Sequence, residues 1–344
     1  MNTTVVSRRA AVPDLVLTLG AFLLGLALLL AFLSVAGFDA AAGLAALWRG
    51  AFGSRYALLS ATLVPAAPLL LLGLAFALAA RAGALNIGME GQFAMGAIGA
   101  TWVGLAVGGW SPLLAIPAVL AAGLVAGAAW IVVPVVLRWR FGVTEVISTL
   151  LLNFVAEAAV SWAVTGPLQE ASRSYPQSDP IAMSARLPRL LPPDRVHLGF
   201  VVALAIAAVL WVILARHRLG FVWRAVGASP RAATVTGRLP VERVAATVLL
   251  LSGALAGLGG AIEVSGVSAA LYQNLSPGYG FTAIAVALLG RLHPAGIVVA
   301  AILFGALQAG AGAMQRDAGI PAVAVHVVQA VVILVMLLAT RRRG

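Results

Sequence analysis

Most of this chain consists of apolar runs that are long enough to cross a lipid bilayer, which takes about 20 residues of helix. Hydrophobic residues make up 62% of the sequence and charged residues 10%, whereas a soluble domain carries about 25% charged residues. Because backbone polar groups find no water in the bilayer core, such runs must be helical. We therefore predict an all-α, polytopic membrane bundle that forms one transmembrane domain over residues 1–344.

About ten membrane-spanning helices are predicted from these runs. The first run, from Leu15 to Gly37, is longer than the apolar core of about 7–15 residues in a signal peptide, which is the alternative for this segment. The eighth run is about 12 residues long, so we expect that span to be broken or tilted. The predicted spans lie near residues 15–36, 57–80, 84–107, 112–137, 143–165, 197–215, 244–270, 280–291, 295–314 and 322–340.

The placement of arginine predicts how the spans are oriented. All 22 basic residues are arginine. With the N-terminus inside, the inside segments hold 15 arginines against two acidic residues, and the outside segments hold seven arginines against five. Cytoplasmic loops carry an excess of Arg and Lys, so both termini are predicted to be cytoplasmic. Residues 166–196 then form an external loop, and residues 216–243 form a cytoplasmic loop.

The predicted cytoplasmic loop contains a short helical pattern, SPRAATVTG. Ser229 is a typical N-cap residue, Pro230 suits the first turn, and Gly237 ends the pattern. A simple positive-inside anchor would explain the six arginines of residues 216–243, but it does not require this pattern. The pattern favours a short helix that docks on a partner protein.

Residue types that the chain lacks exclude several kinds of site. The absence of cysteine excludes disulfides, thiolate metal sites and cysteine nucleophiles. The absence of lysine excludes a phosphate-loop lysine and a Schiff-base lysine. The four histidines lie far apart, and neither an HExxH nor a GxSxG pattern occurs. We therefore predict that the chain has no cofactor, no metal site and no intrinsic ATPase.

Acidic residues inside the predicted spans are the strongest candidates for a functional role. A charge at the bilayer centre costs about 3 kcal/mol or more, so such residues face a bundle interior or a water-filled path. In the fifth span, Glu145, Thr149, Asn153 and Glu157 follow one another at intervals of four residues, with Ser148 beside them. This spacing places them on one helical stripe. The stripe either joins helices by hydrogen bonds or lines a translocation path.

The stretch ALNIGMEGQ places Asn86, Glu90 and Gln92 at the inner end of the third span, soon after Arg81. Its glycines weaken the helix, and non-helical backbone at membrane depth is tolerated only where protein or a cavity covers it. We predict that Glu90 holds an inner gate and that Asn153 lies nearer the path; the alternative is a Glu90–Arg81 ion pair. The predicted path or gate residues are Asn86, Glu90, Gln92, Glu145, Ser148, Thr149 and Asn153.

Pairs of glycines at helical spacing predict close contacts between helices. The pairs are Gly104 with Gly108, Gly123 with Gly127, and Gly253 with Gly257. Small residues four positions apart let two helix backbones approach each other in a membrane. We interpret all three pairs as packing positions.

Four ordered motifs resemble the permease subunits of bacterial ABC importers. They are RAGALNIGMEGQ, FGVTEVISTLLLNF, RAVGASPRAATVTG and GFTAIAVALLGRLHPAG. The resemblance covers most of residues 57–340 and is strongest to nucleoside and simple-sugar permeases, which are related to ribose and branched-chain amino-acid permeases. It implies that the third motif is a coupling helix that docks on an ATPase. The coupling residues it implies are Arg224, Gly227, Pro230, Arg231, Ala232, Ala233 and Gly237.

The resemblance also implies partners, a location and a cargo. The partners are a separate ABC ATPase, an extracytoplasmic substrate-binding protein and a second permease subunit, either a second copy or a paralogue. The location is the bacterial inner membrane, and nucleic acid is not a partner. The expected cargo is a nucleoside, with a simple sugar as the alternative. An ion-coupled secondary transporter is a further alternative, which does not account for the patterned basic loop. An intramembrane enzyme is another, for which the sequence has no recognisable catalytic set.

Overall fold

Helices make up most of the computed structural model, which describes residues 11–321 except 236 and 238, together with 323, 324, 326, 327 and 330. Within this part of the chain no β-strand occurs. Short π-helical turns, Ala57–Thr62 and Val264–Ser268, extend α3 and α10. The α-helices are α1 (Ala11–Val35), α2 (Ala40–Phe52), α3 (Leu63–Arg81), α4 (Met89–Ala106), α5 (Pro112–Phe141), α6 (Glu145–Thr165), α7 (Leu198–Arg216), α8 (Arg218–Ala228), α9 (Pro230–Val235), α10 (Val241–Glu263), α11 (Tyr279–Leu289) and α12 (Pro294–Ala318).

The prediction of an all-helical, multi-pass membrane protein is confirmed. In the described residues, six helical segments are long and apolar enough to cross a membrane. They contain α3, α5, α6, α7, α10 and α12. The predicted short eighth span is α11, which has 11 residues. The predicted tenth span, 322–340, lies outside the described residues apart from five positions, so the ten-span topology and the cytoplasmic termini stay predictions.

The third predicted span begins later than the sequence pattern indicates. The pattern starts the span at residue 84, whereas α4 begins at Met89. Gly83 has a φ of +75°, which only glycine adopts readily and which ends the helical path of α3. Residues 82–88 are therefore a non-helical link, in which buried residues such as Ala84 and Asn86 alternate with the exposed Gly83 and Leu85 before α4 starts.

The α2 helix was not predicted, because its 13 residues are too few to span a bilayer. The Asp39 side chain caps it by accepting a hydrogen bond from the Ala42 backbone N–H at 2.9 Å. Gly50 brings it against α12 so closely that a Cβ at this position would lie 2.4 Å from the Cβ of Ala313. The Trp48 side chain is exposed, as is typical of aromatic side chains at a membrane–water interface.

The centre of the bundle is α3, which is buried along nearly its whole length, from Val64 to Ala79. The largest buried side chains around it include Phe93 on α4 and Phe304 on α12. Because α3 is enclosed by protein, its apolar sequence serves helix packing rather than contact with lipid.

Glycines lock α4, α5 and α10 together, as the paired spacing predicted. A Cβ at Gly257 of α10 would lie 2.2 Å from the carbonyl oxygen of Gly123 on α5, and one at Gly127 would lie 2.3 Å from the carbonyl oxygen of Gly253. A Cβ at Gly96 of α4 would also lie 2.2 Å from the carbonyl oxygen of Gly257. Real Cβ atoms do not occupy such distances, so these three backbones contact one another directly.

The third glycine pair is only half explained by packing. A Cβ at Gly104 would lie 2.7 Å from the Ile181 side chain, so this position is tightly packed. A Cβ at Gly108 would meet no atom within 4 Å. The packing interpretation of Gly108 is therefore wrong within this chain, because α4 has already ended at Ala106.

Charged residues mark two opposite ends of the bundle. At one end Arg138 of α5 pairs with Glu145 of α6 at 2.7 Å and with Glu242 of α10 at 3.5 Å. We call this the arginine-rich end. At the other end Arg55 pairs with Asp194 at 2.7 Å, and we call it the loop end.

Residues 166–196 cover the loop end as an ordered segment. The Ser178 backbone N–H donates to the Leu271 carbonyl at 2.8 Å, and the Ser178 hydroxyl accepts from the Leu271 N–H at 2.9 Å. Glu170 organises the segment internally, and the hydrogen bond from the Gln177 amide lowers the pKa of its carboxyl group. The segment is therefore a fixed surface rather than a loose connection.

Candidate functional site

A cavity of about 340 Å³ lies between α4, α6 and the chain that leads into α11. Its volume falls in the usual range for small-molecule sites, about 300–1,000 Å³. Polar and aromatic side chains share its surface, and no arginine is among the described residues that line it. The lining residues are Glu90, Phe93, Ala94, Ala97, Asn153, Phe154, Glu157, Val160, Ser161, Leu271, Gln273, Asn274, Leu275, Ser276 and Phe281.

One wall of the cavity is non-helical chain. Residues 269–278 run from the loop end to the start of α11, with Asn274 at a φ of +57°. Gln273 fixes this chain to α6 by donating from its side-chain amide to the Ser161 hydroxyl at 2.8 Å. The Ser276 hydroxyl accepts from the Tyr279 backbone N–H at 3.0 Å. Such irregular backbone inside a membrane protein occurs where it lines a cavity, so this segment belongs to the site.

Glu90 faces this wall from the first turn of α4. Its Oε2 accepts a hydrogen bond from the Gly280 backbone N–H at 2.5 Å. A Cβ at Gly280 would lie 2.4 Å from the Glu90 backbone nitrogen, so the glycine permits the contact. Glu90 therefore joins the start of α11 to the start of α4.

The alternative ion pair between Glu90 and Arg81 is absent from the described residues. Arg81 instead donates from Nε to the Leu292 carbonyl at 2.8 Å. The Glu90 carboxylate accepts its hydrogen bond from the Gly280 backbone N–H, and among the described residues no Glu90–Arg81 contact falls within ion-pair distance. The two side chains serve different junctions of the bundle.

Asn86 and Gln92 form a buried hydrogen-bond cluster with Ser252 of α10, which we call the Asn86 cluster. The Asn86 side-chain nitrogen donates to the Gln92 Oε1 and to the Ser252 hydroxyl, both at 2.8 Å. Gln92 donates back to the Asn86 Oδ1 at 3.0 Å, and the Ser252 hydroxyl donates to the Ala75 carbonyl at 2.8 Å. Asn86 and Gln92 do not line the cavity; they hold the non-helical 82–88 link inside the bundle.

The predicted stripe on α6 divides into two parts. Glu145 pairs with Arg138 at the arginine-rich end, and the Ser148 and Thr149 hydroxyls donate to carbonyls of their own helix. These three side chains do not reach the cavity. Their structural surroundings fit the alternative interpretation of the stripe, in which polar groups join or cap helices.

Asn153 both joins helices by hydrogen bonds and lines the cavity. Its side-chain oxygen accepts from the Gly91 backbone N–H at 2.8 Å, and its nitrogen donates to the Ile87 carbonyl at 3.0 Å. It also lines the cavity. Asn153 therefore satisfies the backbone where α4 begins and places α6 beside that point.

Glu157, one helical turn beyond Asn153, lines the cavity and is exposed. It was placed on the polar stripe but not among the predicted path residues, and its continuation of the four-residue spacing was the available signal. Phe154 and Phe281 at the same cavity are exposed as well. The cavity thus opens to the outside of the chain.

Five polar residues of the cavity were absent from the predicted set. Besides Glu157, they are Ser161, Gln273, Asn274 and Ser276. Ser161 is one turn beyond Glu157 on α6, so the same spacing could have found it. The other three lie on the non-helical wall, for which the sequence contains no periodic signal. Glu263, another acid in a predicted span, is buried but does not line the cavity.

The basic loop between α7 and α10 forms two short helices at the arginine-rich end. The Ser229 hydroxyl accepts from the Ala232 backbone N–H at 3.3 Å, so Ser229 caps α9 as expected. The helix ends at Val235, two residues before Gly237. The Pro230, Arg231 and Val235 side chains are exposed, so α9 presents a surface away from the bundle.

Three of the predicted coupling residues contact their own chain instead. Ala233 is buried on the inner side of α9. Gly227, at the end of α8, approaches the Arg81 carbonyl so closely that a Cβ would lie 2.2 Å from the oxygen. Arg224 donates a hydrogen bond to the Leu214 carbonyl. Gly227 thus puts the basic loop in direct backbone contact with the beginning of the 82–88 link.

Comparison with protein families gives one match across most of the chain. Residues 58–340 match the family described as branched-chain amino acid transport system / permease component. No solved structure matches the chain.

Three relatives with named activities are similar over most of their length. The guanosine ABC transporter permease protein NupP of Bacillus subtilis is 37% identical and covers 93% of this chain and 92% of its own. The nucleoside ABC transporter permease protein NupB of Lactococcus lactis is 34% identical, over 95% and 90%. The glucose ABC transporter permease protein TsgB13 of Haloferax volcanii is 39% identical, over 81% and 76%.

We expect the Asn86 cluster to act as one unit. Asn86→Ala and Ser252→Ala should each lower stability by about 1–3 kcal/mol, because each leaves buried polar groups without partners. The double variant should lose about 1 kcal/mol less than the sum, since both changes remove the same bond. The measurement is thermal unfolding of the detergent-solubilised chain, with Thr165→Ala, an exposed hydroxyl on α6, as control. Strictly additive losses would contradict the cluster.

Proposed function

Because the chain belongs to the family of branched-chain amino acid transport system / permease components, we propose that it is the membrane-spanning subunit of an ABC importer for nucleosides. The observation that carries this proposal is end-to-end similarity to permeases named for guanosine and for nucleosides. The permease provides the path, and a separate ATPase provides the energy. We place it in the bacterial inner membrane, with the arginine-rich end in the cytoplasm, as the arginine distribution supports.

The chemistry of the cavity supports a neutral polar cargo with an aromatic part. The exposed side chains of Phe154 and Phe281 can contact the flat face of a nucleobase, and stacking on aromatic side chains is a common way to hold a base. Asn153 and Asn274 offer amide groups for ring nitrogens and ribose hydroxyls. The contacts required are few, because a permease that binds its cargo tightly would release it slowly.

Two other cargo classes are weighed against this one. An amino acid carries a carboxylate, which calls for a fixed cation, and the described lining holds Glu90 and Glu157 but no arginine. A simple sugar would use the same amide and carboxylate groups, and one relative is named for glucose. A sugar gives less reason for two exposed phenylalanines at one cavity, so the nucleoside is the better fit.

The experiment is uptake by proteoliposomes that contain the assembled transporter and its binding protein. We expect uptake of tritiated guanosine that requires internal ATP, with glucose and leucine taken up at background rates. Uptake of glucose alone would move the cargo to the sugar alternative. Guanosine uptake that follows a proton gradient without ATP would instead indicate a secondary transporter.

We propose further that a second permease subunit completes the cavity. Glu157 lies near the middle of α6 and is exposed, and an ionisable group at that depth faces protein or water rather than lipid. A second subunit packed on this face would cover Glu157 and Phe154 and turn the open cavity into a path between two chains. The second subunit is another copy or a paralogue.

A cysteine scan of this naturally cysteine-free chain tests that arrangement. Phe154→Cys should form an intermolecular cross-link when the membrane is treated with a short bifunctional maleimide. If the second subunit is a paralogue, the cross-link requires a second cysteine at the matching position of that paralogue. Val209→Cys, equally exposed but on α7, should remain uncross-linked. Equal cross-linking at both positions, or at Val209 alone, would contradict the assigned face.

We propose that α9 is the helix that docks on the ATPase. Its exposed side carries Arg231 and Val235, whereas Ala233 is buried against the chain. A motion of α9 would reach α8 and then the backbone contact between Gly227 and Arg81. That contact adjoins the 82–88 link, which leads into α4, and the cavity residue Glu90 lies in the first turn of that helix. Alternating access would thus be driven through the base of α4.

A charge on the exposed side of α9 should uncouple the two subunits. We expect Val235→Asp to reduce co-purification of the ATPase and to lower uptake about tenfold or more, because an apolar contact at an interface centre is lost and a charge is buried. Met183→Asp, an equally exposed apolar side chain at the loop end, should leave ATPase co-purification unchanged. Unchanged co-purification by Val235→Asp would show that α9 is not the docking helix.

A further inference from the structure

A second, smaller cavity lies at the arginine-rich end, outside the cargo site. It has a volume of about 70 Å³ and lies where α3 and α7 end and α12 begins. Polar lining comes from Arg81 and His293, and apolar lining comes from α7 and the first residue of α12. The lining residues are Arg81, Trp211, Leu214, Ala215, His293 and Pro294. The transport mechanism proposed above does not use it.

Positive charge converges on this small cavity without a matching carboxylate. Arg224 lies close enough to Arg81 for the two guanidinium groups to repel each other, and His293 is within electrostatic range of Arg81. Arg81 donates a hydrogen bond to the Leu292 backbone carbonyl, and Arg224 donates one to the Leu214 backbone carbonyl. A neutral carbonyl does not balance the charge of a guanidinium group.

The acidic residues of this end are engaged elsewhere. Glu145 and Glu242 both pair with Arg138, and within the described residues no carboxylate lies within ion-pair distance of Arg81 or Arg224. The N-terminus of α12 adds partial positive charge, because the His293 side chain makes no capping hydrogen bond there. Burial, together with the nearby Arg81, lowers the pKa of His293, so at neutral pH its imidazole is a hydrogen-bond donor rather than a third full charge.

The walls of the cavity identify the environment of the missing anion. Trp211 is 48% exposed on α7, and Val212 beside it is 49% exposed, so this side of α7 faces outward from the bundle. A tryptophan near the end of an apolar helix is typical of the headgroup level of a bilayer. An anion that reached the two arginines from this side would arrive with its apolar part against α7.

We propose that this cavity binds the headgroup of an anionic phospholipid, with its phosphate at the polar lining residues Arg81 and His293, whose imidazole donates to it. The charge of the neighbouring Arg224 adds to the attraction, and the acyl chains lie along α7. Basic pockets between membrane helices at the headgroup level favour such lipids, and an arginine fork matches phosphate oxygens well. The bound lipid would neutralise the charge that meets where α3, α7, α8 and α12 join. The proposal holds whatever the cargo of the transporter is.

The test uses native mass spectrometry of the delipidated full-length transporter, titrated with phosphatidylglycerol, phosphatidylcholine or inorganic phosphate. We expect phosphatidylglycerol to be retained in preference to phosphatidylcholine. Arg81→Gln should weaken its binding about fivefold, as expected for loss of one interfacial cation, and Arg81→Lys should restore most of it. Arg140→Gln removes an exposed cation of α5 at the same end and should change nothing.

Each of the following results would overturn the lipid assignment. The first is equal retention of both lipids, and the second is equal loss of phosphatidylglycerol in the Arg81 and Arg140 variants. The third is binding of inorganic phosphate as tight as that of phosphatidylglycerol, which would make the site a free-anion site. If Arg81→Gln does not fold, Arg224→Gln provides the same comparison. A transporter that retains no lipid, and whose Arg81→Gln variant no longer binds the ATPase, would assign these cations to the ATPase interface.

Discussion

The architecture of this protein depends on how buried backbone N–H and carbonyl groups find hydrogen-bond partners where helices are interrupted. Inside a bilayer, an unpaired N–H or carbonyl costs several kcal/mol, so each break needs fixed partners. The Asn86 cluster supplies them at the 82–88 link, together with Asn153, which bonds to both Gly91 and Ile87. At the other break, Gln273 and Ser276 hold residues 269–278 in place. The cargo cavity lies between these two breaks, because that is where helices stop filling the space.

The sequence predicts the helical class of the fold well and the ends of its helices less well. Apolar run length is a local property, so α3, α5, α6, α7, α10 and α12 could all be found from it. The start of α4 at Met89 depends instead on a bond between Asn86 and Ser252, which are 166 positions apart. No local pattern encodes that contact. The α2 helix was missed for a different reason: it packs along α12 without needing the length of a membrane span.

The candidate site could be predicted only in part, for the same physical reason. Buried acids stand out in an apolar sequence because their desolvation is costly, and this led to Glu90 and to the α6 stripe. The spacing did not show where along that stripe polar groups stop joining helices and begin to face a cavity. The structure places the change at Asn153, with Glu145 on one side and Glu157 on the other. The polar residues of the irregular wall, such as Asn274, have no periodicity and could be found only from the fold.

The glycine contacts among α4, α5 and α10 bear on which parts of the molecule can move. Where Gly96, Gly123 and Gly257 bring backbones together, no side chain is available to change rotamer and absorb a displacement. These three helices therefore translate and rotate as one solid block. The flanking helices α6 and α11 meet that block at the cavity through a few polar bonds, two from Asn153 and one from Glu90 to Gly280. Such bonds can break and re-form at small cost. A working cycle that moves the base of α4 would therefore carry α5 and α10 with it, and the flexing would fall at the seams on either side of the cavity.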